Sequence, residues 1–158
     1  MVDAMHAIPT NGWSSALQRW IPVILWAGLI FYFSTEHFSF SNTEGFLSAW
    51  LGWLMPAIAP ADLGQFHPLL RKGGHWFEYF ILAILLVRAQ RSGDESGLAM
   101  PIIARTLALV LAYAVSDEYH QSWVPERTAS AVDVAIDTFG GVCGVFWIRL
   151  LYKRRSGT

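Results

Sequence analysis

The chain has 158 residues, 54% of them hydrophobic and only 15% charged, with eight Trp and ten Phe. Soluble domains usually carry about 25% charged residues, so this composition argues for a membrane protein of one domain, 1–158. The formal net charge of -1 gives no reason to expect nucleic acid, and the lone Cys143 excludes an intrachain disulfide.

No charge-free run reaches the roughly 20 residues of a spanning helix; the longest are Trp20 to Thr35 and Gly45 to Ala61. Membrane helices are therefore expected to carry polar residues at one end. Residues 1 to 18 are polar and mixed. Arg19 then leads into the first span, about 20–35, which resembles a signal peptide. The segment after it, TEHFSFSN, lacks a small-x-small cleavage site, so a retained anchor is expected. Ser41 to Glu44 reads as a capping box for a helix starting near Gly45. That helix is short, is interrupted by Pro56, and carries Trp50 and Trp53 for the headgroup layer, which predicts an interfacial or re-entrant element.

The second span, about 69–87, holds Arg71, Lys72, His75 and Glu78 in its first half and pure hydrocarbon in its second. QRSGDESG is a polar loop. The third span, about 101–119, has its apolar half first and its acidic end last. SWVPERTAS turns the chain into the fourth span, about 129–152, which Lys153, Arg154 and Arg155 follow. The expected fold class is all-α: an integral membrane bundle of four transmembrane helices with one short interfacial or re-entrant helix.

Basic residues set the orientation. With the N-terminus inside, Arg19, Arg88, Arg91, Arg105, Arg149, Lys153, Arg154 and Arg155 lie on or near the cytoplasmic side, and Arg71, Lys72 and Arg127 lie outside. That follows the positive-inside bias and predicts both termini cytoplasmic. The polar ends of the second, third and fourth spans then all reach the outer surface.

The stretch Ser116 to Gly141 concentrates the ionisable groups between two apolar flanks, where such groups are paired, line a cavity or mark a site. At about 100° per residue, Arg71, His75 and Glu78 share one helical arc, and Asp117, His120 and Gln121 share another with Tyr113. Asp133 and Asp137 form an i, i+4 stripe that Gly140 and Gly144 continue as a GxxxG pair, which lets a neighbouring helix approach closely. Asp137 would lie about 9 Å below Ala131, deep enough to require a partner, and Arg127, Arg71 and Lys72 are the cations available.

The segment RKGGHWFEY, the SDEYHQ-W-P-R turn and D-x-x-x-D-x-x-G-G-x-x-G together resemble the VanZ-like family over nearly the whole chain. Lys72, His75, Glu78, Asp117, Glu118, Gln121, Pro125, Arg127 and Asp133 fall on the family pattern; Asp137 departs from it, since many relatives have Asn there. The family is named for a protein linked to teicoplanin resistance. The resemblance implies a bacterial cell-envelope protein of the inner membrane, but it names a phenotype rather than a reaction.

Three functions fit these residues. The first is an outer-face polar site that binds or remodels an amphiphilic envelope component, such as a lipid-linked cell-wall precursor or an amphiphilic antibiotic. Arg71, Lys72, His75, Glu78, Gln121, Arg127, Asp133 and Asp137 would be its ligand-binding residues. The second is an enzyme, a hydrolase or transferase, on a lipid-linked or phosphate-bearing substrate, with Asp117, Glu118 and His120 as acid/base groups. The third is a structural subunit whose acids only pair with Arg71, Lys72 and Arg127. A metal set of His75, Glu78, Asp117 and His120 has mixed N/O ligands, but it lacks any H-x-x-x-H pair and has Arg71 and Lys72 nearby. No metal or cofactor is expected.

Overall fold

The computed structural model describes residues 12–35, 53, 66–91, 98–125 and 129–156. Among them the chain is helical without strands: α1 (Gly12–Phe33), α2 (His67–Gln90), α3 (Met100–Gln121) and α4 (Ala131–Ser156). The capping box at 41–44, Arg127 and most of the expected interfacial helix lie outside the described residues; of that helix only Trp53 is described, helical and exposed.

Three helices are long and apolar enough to cross a membrane, over Ala16–Phe33, Met100–Gln121 and Ala131–Arg154. The protein is thus a multi-pass membrane protein. At 24 residues α2 spans about 36 Å, but Arg71, Lys72, His75 and Glu78 occupy its first half, and it is not among those three.

Each start has a local cause. Pro68 and Pro101 open α2 and α3, where the missing N–H costs nothing. At α4 the Ser130 hydroxyl accepts the Val132 N–H at 3.2 Å, while Glu118 Oε2 accepts the Ser130 N–H at 2.7 Å. The end of α3 thereby helps to cap the start of α4.

Contacts fix the directions of the helices. Trp26 Nε1 donates to the Glu78 carbonyl at 2.8 Å, and the Tyr113 hydroxyl donates to the Ala27 carbonyl at 2.6 Å. These two aromatic tips pin α1 to α2 and α3. The Arg71–Asp133 and His75–Asp137 contacts make α2 and α4 parallel, whereas Gln90–Thr106 and Tyr79–Tyr113 make α2 and α3 antiparallel. Successive helices therefore alternate in direction.

The seam between α2 and α4 is the most extensive in the bundle. It is closed by backbone: a Cβ at Gly140 would collide with the Trp76 carbonyl, and one at Gly144 with the Phe80 carbonyl. Gly141 turns towards α3, where an added Cβ would meet Val110 Cγ1 at 2.6 Å. Small residues let α4 press against α2 and α3 at once, the packing that membrane helices favour in place of a hydrophobic drive.

The bundle is apolar outside and partly polar inside. Ile24, Leu25, Val115, Phe139 and Phe146 are exposed, while His75, Asp117, Glu118, Gln121, Asp133 and Asp137 are buried. That inversion suits a lipid solvent. The apolar core, including Leu82, Ala83, Leu86, Val87, Val110, Val145 and Ile148, fills the other half of the same bundle.

Candidate functional site

The alternation of the helices carries the end of α1, the start of α2, the end of α3 and the start of α4 to one end of the bundle. The described basic residues Arg19, Arg88, Arg91, Arg105, Arg149, Lys153 and Arg154 belong to the other end. There the Arg91 guanidinium lies 3.9 Å over the Tyr152 ring. At the polar end, the exposed Tyr119 and Trp123 pack edge-on at 6.1 Å, as amphipathic rings do in a headgroup layer.

Within the polar end the pairing is selective. Arg71 Nη2 donates to Asp133 Oδ2 at 2.8 Å, tying the start of α2 to the start of α4. Asp133 also lies in the first turn of α4, where a carboxylate is favoured by the helix dipole. One turn deeper, His75 Nδ1 comes within 3.3 Å of Asp137 Oδ1, close enough for an ion pair but without hydrogen-bond alignment. On α3, Gln121 Nε2 donates to Asp117 Oδ2 at 3.0 Å inside the helix itself. Glu118 spends Oε2 on the Ser130 cap.

A set of buried polar atoms remains without a hydrogen-bond partner among the described residues. At the polar end it comprises both oxygens of Asp137, Nδ1 of His75, Oε1 of Glu118, Oδ1 of Asp117, the Tyr79 and Ser34 hydroxyls and Nδ1 of His120; Arg19 Nε is the member in the other half. Asp137 and Tyr79 are fully buried. Each buried polar atom left unbonded costs of order 1–3 kcal/mol, more when it is charged.

The expected site residues thus divide. Arg71 with Asp133, His75 with Asp137, and Asp117 with Gln121 are brought together. Lys72 is exposed at the rim, and Glu78 is half-buried with its carbonyl engaged by Trp26. His120 packs against Phe31 with ring centroids 4.4 Å apart and the rings tilted by 36°, and among the described residues it pairs with neither Asp117 nor Glu118. Reading helical arcs alone put His120 on the Asp117 face; the ring instead meets α1. Ser130 and Tyr79 are the members that sequence reasoning did not single out. The signal for Ser130 was its position immediately before α4, that of an N-cap. Tyr79, four residues after His75, carried the helical spacing that places it on the same face.

The VanZ/LLP1 family profile matches residues 19–152, most of the chain and all of the polar end just described. No curated protein matches the chain, and no solved structure does.

Proposed function

This chain belongs to the VanZ/LLP1 family, and from that premise we propose that its polar end is an outward-facing site that binds or remodels an amphiphilic envelope component. In this reading α2 is the fourth span, completed by the pairing of its polar half inside the bundle. Both termini are cytoplasmic, as the basic end requires, and the membrane is the bacterial inner membrane. Headgroup contacts fall to the half-exposed Arg71 and the exposed Lys72, with Tyr119 and Trp123 at the rim and the acids beneath. A lipid-linked cell-wall precursor and an amphiphilic glycopeptide such as teicoplanin are the candidate occupants.

The orphaned carboxylate atoms carry this reading. A purely structural ion-pair lock matches its buried charges, because an unmatched one is strongly destabilising. Here Asp117, Glu118 and Asp137 keep unpaired oxygens among the described residues while Arg71 is committed to Asp133.

The test is the thermal stability of the purified protein and of Asp117→Asn, each with and without a panel of envelope lipids, precursors and teicoplanin. The expected result is an Asp117→Asn protein at least as stable as the parent that has lost a ligand-induced shift. An early-melting variant, with neither protein responding to any ligand, would leave the ion-pair lock as the better account. A second reading, an enzyme on a lipid-linked or phosphate-bearing substrate, is favoured by the juxtaposed imidazole and carboxylate of His75 and Asp137. Turnover of a lipid phosphate that Asp117→Asn abolishes with binding intact would select it.

A further inference from the structure

We propose that His75, Glu118 and Asp137 form a binding site for one divalent transition-metal cation, of the zinc or manganese kind. Each residue offers one ligand atom, and the three atoms lie within 4.8 Å of one another. All three residues are buried, with Asp137 at 0% exposure. The set differs from the quartet of His75, Glu78, Asp117 and His120 that was weighed from the sequence and set aside with no metal expected: only His75 is common to both.

Three observations point to an ion. The first is the orphaned atoms: His75 Nδ1, Glu118 Oε1 and both Asp137 oxygens lack hydrogen-bond partners among the described residues, and a cation could take one atom from each residue. The second is spacing. Two ligands bound at about 2.0–2.1 Å to a tetrahedral ion sit about 3.4 Å apart, and His75 Nδ1 and Asp137 Oδ1 are already at 3.3 Å. The third is charge: two carboxylates and one dication sum to zero, which is the arrangement that a buried position beneath the headgroups favours. Arg71, the described guanidinium closest in sequence to His75, is held by Asp133 and so does not compete.

The ligands come from three helices whose relative positions are independently set. Gly140 and Gly144 press α4 on α2 below Asp137, and the Ser130 cap fixes Glu118 against the start of α4. Closing a pair as wide as 4.8 Å onto that tetrahedral spacing takes about 1.4 Å, or about 0.7 Å from each side chain, within side-chain rotation. One imidazole and two carboxylates suit zinc, manganese or iron better than magnesium or calcium, which prefer oxygen alone. Three protein ligands also leave a coordination position open.

The proposal stands apart from the amphiphile reading, because ion binding is measured without lipid ligand. The full chain, purified in detergent and stripped with a chelator, is titrated with Zn²⁺ and with Mn²⁺, and metal content and thermal stability are read. One ion per chain is expected, with melting raised by roughly 5–10 °C at a hundredfold excess over Kd. Asp137→Asn and His75→Ala should each weaken binding by more than about 100-fold, beyond the effect of typical outer-shell partners. Cys143→Ser should bind as the parent does. Asp137→Asn keeps the side-chain shape, so the folded variant is the decisive one. Absence of stoichiometric uptake by the stripped parent would overturn the site, as would an ion that folded Asp137→Asn retains. If Arg127 supplies the missing cation instead, the stripped protein will be indifferent to both metals.

Discussion

Thr106 and Asp137 are both fully buried polar side chains at helix contacts, in opposite halves of one bundle. Thr106 is satisfied: its hydroxyl accepts from Gln90 Nε2 at 2.8 Å, and that amide also reaches the Leu86 carbonyl at 3.1 Å. Asp137 has both oxygens without a hydrogen-bond partner among the described residues, with His75 Nδ1 3.3 Å from Oδ1. The same helices that close their hydrogen bonds around Leu86 leave them open around His75. The unpartnered carboxylate oxygens gather in the polar half, although pairs such as Arg71–Asp133 close there too and Arg19 Nε is open in the other half.

That contrast can be attacked at three places. The largest effect is expected at the seam joining the two halves: Gly144→Leu forces a side chain into the Phe80 carbonyl and should cost upward of about 3 kcal/mol, because backbone cannot step aside. Thermal unfolding in detergent reads it, and a well-folded variant of unchanged stability would mean the helices are not locked there. Asp137→Asn has the opposite sign: in metal-stripped protein it should gain about 1 kcal/mol by removing a buried carboxyl group whose oxygens lack hydrogen bonds. A loss of that size would place Asp137 in a closed pair with His75 and erase the distinction between the halves. Thr106→Val is the smallest, costing about 1 kcal/mol or less for one interhelical hydrogen bond. Its loss should leave metal and ligand responses untouched.

The all-helical architecture and three apolar spans were legible because they depend on composition along the chain. Leu107 to Val115 and Val142 to Tyr152 read as lipid-compatible wherever their neighbours lie. The polar half of α2 hid its span from any apolarity measure, because its acceptability depends on partners such as Asp133. The GxxxG pair was readable as a close approach, and the helix that fills it was not. Within the site, the i, i+4 stripe of Asp133 and Asp137 was plain from spacing. Which cation each takes was not: Arg71 goes to the shallower Asp133, and His75 lies beside the deeper Asp137. Asp117 and Glu118 are adjacent, about 100° apart on α3, so a small rotation of that helix decides which faces α4. Sequence leaves that rotation undetermined, and it is what separates the His75, Glu118 and Asp137 triangle from the quartet built on Asp117 and His120.

The apolar layer beneath Asp137 has a bearing on permeation. Along α2, the buried side chains between Tyr79 and Gln90 are Leu82, Ala83, Leu86, Val87 and Ala89, and Val110, Ala114, Val145 and Ile148 face the same core. A proton or ion reaching Asp137 would next have to jump about 16 Å, the rise of α2 from Tyr79 to Gln90, to a Gln90–Thr106 pair already bonded to each other. At Gly140 and Gly144 α4 lies in backbone contact with Trp76 and Phe80 of α2. If the polar end binds as proposed, its ligand would enter and leave from one side of the bilayer, with the apolar layer closing the path to the other.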